Sequence, residues 1–255
     1  MKNEDESVVV TGVALVSSLG LTADETWEAL LSGKHGTLPI KDFDANGFQC
    51  RVAAQVQNLD HSSLGVHPRD ARIMDKHSYM LLKCARDAFT QSNLDKTSLA
   101  PEDIGFFAGM GMVDYKVEDL IPSIMKSMDS ERNLDYNAFY SGGYQEIYPL
   151  WPLAMSNNIS FCQIAISLNL KGENAVFSPH SDSGAQAIIE GMNTIRDKRT
   201  KAVLAGGVSE KISPSNLARA HLFKILNTSE RDGEKLCRPF AANRNGTILG
   251  EGCGM

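Results

Sequence analysis

The residues best placed for chemistry lie in Phe177-Ser-Pro-His-Ser-Asp-Ser-Gly184. A short run, Ala175–Ser178, reads as a strand, and Ser181–Arg196 reads as a helix that begins with small residues. A serine at such a strand-to-helix turn is how serine hydrolases and acyltransferases present a nucleophile. The helix N-terminus favours developing negative charge, and a base must stand within hydrogen-bond reach. Ser181 holds that position. His180 is its sequence neighbour, so its side chain points elsewhere. It is either a structural histidine or a hydrogen-bonding group for an intermediate or a partner residue. Pro179 favours a fixed, extended entry. The competing reading is that Ser181 or Asp182 simply N-caps the helix.

Other constellations carry less chemistry. Gly206 and Gly207 open no G-x-G-x-x-G or G-K-[ST] motif and read as close backbone packing. The histidines and cysteines match no metal-ligand spacing, so neither a metal nor a cofactor is expected. Asp114, Val117 and Ile121 fall at i, i+3 and i+7, one face of a helix predicted over 114–128 that Pro122 should kink or divide. The stretch from Tyr136 to Trp151 is aromatic-rich: a cap, an interface or a packed loop.

The elements that must position these residues alternate along the chain. Ser7–Gly12 reads as a buried strand. Thr22 with Glu25 forms a capping-box pattern, and Gly33 is a natural helix stop. Arg51–Val56 is a short strand, Arg69–Asn93 the longest helix, and Ile104–Met110 a buried strand. Leu153–Leu170 is a helix candidate. Lys201–Val208 is a strand, Ser213–Leu226 a helix, and Gly246–Gly250 opens a last strand. The alternation predicts an α/β fold with a largely parallel sheet and helices on its faces. A chain end inside an apparent core strand is uncommon.

Bulk properties narrow the function classes. A chain of 255 residues, 42% apolar and 22% charged, can bury one large core. It carries 25 Lys+Arg against 31 Asp+Glu, a formal charge of -6, with no basic run. Nucleic acid and anionic membranes are poor partners for such a chain. Its five widely spaced cysteines are no disulfide framework and fit a reducing compartment. No apolar run reaches bilayer-spanning length. Glu4, Asp5 and Glu6 stand where a secretory signal is basic, so a cytoplasmic location is expected.

Several segments together resemble the β-ketoacyl synthase family, of thiolase-like, layered αβαβα fold. They are Val8–Gly20 and Thr26–Lys34, then Asn157–Ile166 with Leu170–Asn174. Val203–Glu210, Arg238–Phe240 and Asn245–Gly252 follow in the family's order. The resemblance implies that residues 1–255 form the N-terminal half of a ketosynthase-type fold, with the second half-fold absent from this chain. Family enzymes carry a nucleophilic Cys at the elbow, and here Ser181 occupies it. They use two further histidines from the second half, and none of His35, His61, His67, His77, His180 and His221 sits in a matching motif. Both departures resemble the chain-length factor, or ketosynthase β-subunit, of type II polyketide synthases. That resemblance implies a heterodimer whose ketosynthase partner supplies the Cys and both histidines. It also implies a substrate tunnel lined here by Asp114, Tyr115, Val117 and Ile121. An acyl carrier protein, acidic as a class, would dock on the partner. A naturally short chain, cleavage and a cut piece are all open readings of the length. A separate second half-fold held non-covalently is a further possible partner.

Overall fold

The computed structural model describes residues 7–111, 114, 116–178, 181–229 and 235–255. Among these, the strands are β1 (Leu15–Ser17), β2 (Leu38–Pro39), β3 (Val52–Ala53), β4 (Ile104–Met110), β5 (Asn174–Phe177), β6 (Ala202–Val208) and β7 (Gly252–Gly254). The helices are α1 (Ala23–Leu31), α2 (Pro68–Ala71), α3 (Lys76–Gln91), α4 (Ile121–Lys126), α5 (Tyr136–Ser141), α6 (Trp151–Ala154), α7 (Asn157–Ser167), α8 (Ser183–Arg196) and α9 (Pro214–Leu222).

The main sheet has the order β1-β7-β6-β4-β5. Every residue of β4 is buried. An unbroken apolar run of this kind belongs to a strand covered on both faces. β4 pairs in parallel with β5 and β6. β7 runs antiparallel to both β6 and β1. The sheet is therefore mixed, not largely parallel as the alternation predicts. The expected opening at Gly246–Gly250 makes only isolated bridges, and the ladder forms at Gly252–Gly254.

Alternation along β4 and β6 divides the core. On one face Phe106 stacks on Phe161 of α7, with ring centroids 4.2 Å apart. Leu204, Val208, Val16 and Cys253 join Met80, Leu81 and Cys84 of α3 on that side. On the other face lies α8. Its Gly191 sits so close that a Cβ there would stand 2.8 Å from Val203 Cγ1 and 3.2 Å from Ala205 Cβ. No described helix is long and apolar enough to cross a membrane.

Four expected elements differ. Leu153–Leu170 is divided between the end of α6 and α7, with Met155 and Ser156 outside both helices. The stretch 69–93 is broken because Asp75 has extended backbone and caps a new helix. It accepts from His77 N at 3.1 Å and Ser78 N at 3.4 Å, while Ser78 Oγ faces Asp75 N at 3.4 Å. The stretch 114–128 is no single helix. Asp114 is non-helical, Val117–Asp119 is a 3₁₀ turn, and α4 begins with Pro122 in its first turn, where a missing N–H costs little. Asp114, Val117 and Ile121 therefore share no helix face. Finally, Ser7–Gly12 is not in a strand: Ala14 exchanges two backbone hydrogen bonds with Met255, and the strand itself begins at Leu15. Near it, Thr22 Oγ1 accepts from Glu25 N at 3.2 Å. Glu25 Oε2 reaches Leu21 N at 2.7 Å, one residue short of the expected reciprocal contact.

Candidate functional site

The start of α8 is seated by glycines of two strands and of the helix itself. A Cβ on Gly109 of β4 would lie 2.7 Å from Gly184 Cα and nearer still to Gly184 N. A Cβ on Gly207 of β6 would lie 3.1 Å from the same Cα. Only hydrogen at these positions lets the first turn of α8 rest on the middle of the sheet. The expected close packing at Gly206 also holds: a Cβ there would meet Met255 Cα at 2.7 Å. Asn157, the first residue of α7, fixes the approach. Its Nδ2 donates to Gly111 O at 3.0 Å and to Ser178 Oγ at 2.9 Å, joining the ends of β4 and β5.

Ser181 lies in the turn just before α8 and is exposed. Among the described residues no side chain hydrogen-bonds its hydroxyl. Asp182 occupies the cap position but makes no side-chain cap bond. Its Oδ2 accepts from Gln186 Nε2 at 2.7 Å instead. The N-cap reading of Ser181 and Asp182 is thereby corrected. The first-turn N–H groups of α8 are left with no side-chain cap at Asp182, next to the serine. His180 and Tyr115 lie outside the described residues.

A cavity of about 830 Å³ opens away from this turn. Residues before and at the start of α3, Asp114 with residues 116–119, the region of α6 and the segment 211–215 line it. Asp114 and Val117 line it, together with Phe43, Met74, Tyr148 and Trp151. Ile121 does not, and is 48% exposed. Ser181 does not line it either. The structure thus brings Asp114 and Val117 to one cavity and keeps Ser181 and Ile121 apart from it. Of the aromatic stretch, Tyr148 and Trp151 line the cavity, and Tyr136, Tyr140 and Tyr144 do not; all four tyrosines are exposed.

An ionic network supports the cavity. The Glu251 side chain is fully buried. Its Oε2 accepts from Val56 N at 2.8 Å and its Oε1 from Ile212 N at 2.7 Å. Lys76 Nζ bridges Glu251 Oε2 at 2.6 Å and Asp42 Oδ2 at 2.7 Å. Asp75 pairs with His77 Nδ1 and with Lys211 Nζ at 3.1 Å. Burial pushes the Asp75 carboxyl up, but the hydrogen bond and charge of His77 and the charge of Lys211 outweigh it. Asp75 is held well below the ordinary carboxylate range. Burial, and then the Asp75 charge, raises the Tyr79 hydroxyl. Sequence reading missed this network and Asn157. The available signals were an acid between two glycines at 250–252 and the Asp75-x-x-Ser78 capping pattern.

Among the described residues no group of His, Cys, Asp and Glu could hold a metal ion. All five cysteines are free, and none lies in the elbow. The chain is 28% identical over 249 residues to a 3-oxoacyl-[acyl-carrier-protein] synthase 2 of Coxiella burnetii, covering 98% of this chain and 56% of that protein. It is 27% identical over 252 residues to the tetracenomycin polyketide synthase ketoacyl synthase alpha subunit of Streptomyces glaucescens, covering 98% and 57%. The structure of the ishigamide ketosynthase/chain length factor superposes with a TM-score of 0.72 at 22% identity, over 96% of this chain and 56% of that one. The fold is thus that of the ketosynthases, and the chain spans little more than half the length of the curated relatives it matches. Residues 5–255 match the family model described as beta-ketoacyl synthase, N-terminal domain, and to that family this chain belongs.

Proposed function

We propose that this chain is a non-catalytic subunit of the chain-length-factor kind, paired with an active Cys-bearing ketosynthase in acyl-carrier-protein-dependent polyketide or fatty-acid-like synthesis. One observation carries the reading. The elbow has the form that presents a nucleophile, yet it offers Ser181, with no base at its hydroxyl among the described residues. A serine hydroxyl is a weak nucleophile without such a base. The partner ketosynthase supplies the thiolate and the histidines, and it presents the main docking surface to the acyl carrier protein. This subunit contributes walls. Asp114 and Val117 line a cavity whose walls mix charged residues with an apolar and aromatic part formed by Phe43, Met74, Tyr148 and Trp151, and that part is suited to hold or stop a growing acyl chain.

The test is reconstitution with a Cys-bearing ketosynthase, malonyl-loaded carrier protein and mass analysis of the products. The expected result is no condensation by this chain alone and condensation by the pair. Val117→Phe should shorten the products without lowering the amount of complex. If the partner alone makes products of the same length, the reading fails. If this chain alone turns over an acyl thioester and Ser181→Ala abolishes it, a serine-dependent acyltransferase or hydrolase replaces it.

A further inference from the structure

Two of the five free cysteines face each other in the core. Cys84 lies in the middle of α3, Cys253 is the central residue of β7, and both are buried. Cys84 Sγ donates to Cys253 O at 3.3 Å, and the two thiols also hydrogen-bond each other. The other three cysteines stand elsewhere. Cys50 packs with Leu217, Ala220 and Leu226 in a separate cluster, while Cys162 and Cys237 are exposed. A single buried cysteine acts as a small apolar residue, but a facing pair can also be joined. Both backbones at this pair are fixed. Asp75 caps α3, and Cys253 is paired with Val16 on one side and Val208 on the other. A side-chain rotation is all that moves the Cys84 sulfur from the Cys253 carbonyl towards the Cys253 sulfur. The same two segments already carry an ionic link. Glu251, two residues before Cys253, holds Lys76, about two helical turns before Cys84, at 2.6 Å. Lys76, with Asp75 and Tyr79, lines the large cavity. A bond between 84 and 253 would therefore fix the α3 wall of that cavity.

We propose that Cys84 and Cys253 form a reversible disulfide when the protein meets a small peroxide oxidant, locking α3 onto β7 in its native position. One thiol takes an oxygen atom from hydrogen peroxide, giving a sulfenic acid and a water molecule. The other thiol attacks that sulfur and displaces its hydroxyl, which leaves with the thiol proton as a second water. Two thiols and one peroxide thus become one disulfide and two waters, and a dithiol reductant reverses the change. Burial, and then the neighbouring Cys84 thiol, raise the Cys253 thiol well above its ordinary value. Thiolate is scarce there, so the bond forms slowly, over about hours. A bulky alkylating reagent is excluded from the same place by packing.

The test is peptide mapping of the native chain after exposure to hydrogen peroxide, with the remaining thiols blocked by iodoacetamide in denaturant. The peptides of Cys84 and Cys253 should appear joined, two hydrogens lighter than their sum, and separate again in dithiothreitol. Replacing the exposed thiols together, Cys162→Ser with Cys237→Ser, should leave the link intact. Cys253→Ala should abolish it without changing the circular dichroism spectrum. The oxidised chain should unfold at about 1 M more urea than the reduced one, because the bond closes a long loop in the unfolded state. Oxidation should also restore the midpoint lost in Glu251→Gln, since both links tie α3 to the same segment. Sulfenic or sulfinic acid at either cysteine with no joined peptide overturns the proposal. So does a link that forms only in denaturant, or a linked chain no more stable than the reduced one.

Discussion

Gly109→Ala and Gly184→Ala look alike on paper and should behave in opposite ways. A Cβ on Gly109 would stand 2.7 Å from Gly184 Cα, and closer to Gly184 N and Ser183 C, all of them backbone atoms. Carbon atoms rest about 3.5–4.0 Å apart, so the first turn of α8 must retreat by roughly 1 Å. No rotamer change relieves the overlap. Overpacking of this kind costs about 1–3 kcal/mol. The loss of chain entropy in the unfolded state returns about 0.4–1 kcal/mol. Gly109→Ala should therefore destabilise by about 1 kcal/mol net. Gly184 is different: a Cβ there meets nothing nearer than Gly207 Cα at 3.7 Å, and its φ is not in the left-handed region. Alanine in that helical turn should be neutral, or stabilising by up to about 1 kcal/mol. Urea unfolding followed by circular dichroism would separate the two midpoints by about 1 M. If Gly109→Ala unfolds within about 0.5 kcal/mol of the parent, or Gly184→Ala is equally damaging, the packing of α8 on the sheet is not as described.

Glu251→Ala should cost about 3–5 kcal/mol, because it strips a buried partner from Lys76 and orphans two backbone N–H groups. Glu251→Gln, which keeps one acceptor, should cost less in the same urea titration. Asp75 has a lowered folded-state pKa, so its contribution is fully present above its ordinary value of 3.8 and is lost as pH falls below that. The urea midpoint should be flat between about pH 7 and 5 and decline below about pH 4, more shallowly in Asp75→Asn. Burial and the neighbouring Cys84 thiol raise the Cys253 thiol well above its ordinary value. A thiol reagent on the native protein should therefore modify the exposed Cys162 and Cys237 and spare Cys50, Cys84 and Cys253. Ser181→Cys should add one thiol that alkylates faster than Cys162, since it stands at the N-terminus of α8. An equal rate would show that the helix does not activate that position.

Strands bounded by clear turn residues were legible to within a residue. Ile104–Met110 matched at both ends, the run at 175–178 was shifted by one residue and the run at 201–208 was one residue long at its start, because their apolar character survives any neighbour. Ser7–Gly12 has the same composition and still failed as a strand, since pairing depends on what lies beside it. Local periodicity also predicted one helix over 69–93. The break comes from the Asp75 side chain, which captures the backbone N–H groups of His77 and Ser78. The elbow at Ser181 was visible as a strand, a small-residue turn and a helix in series. Its support was not. Asn157 reaches Ser178 across 21 residues and Gly111 across 46. Glu251 reaches Val56 across 195. No windowed pattern holds such pairs.

The supports of the elbow do not depend on the residue it presents. Gly109, Gly184 and Gly207 fix α8 through backbone contact, and Asn157 ties the two strand ends through Gly111 O and the Ser178 hydroxyl. None of these contacts involves the side chain at 181. The fold would therefore hold this geometry equally with serine or with cysteine at 181. The network around Glu251 is equally indifferent, because it fixes the segments beside 56 and 212 and so one wall of the cavity at Asp114 and Val117. Scaffold and chemistry are separable here. That separation is the physical condition under which a ketosynthase half can contribute a wall to a shared site while its partner performs the reaction.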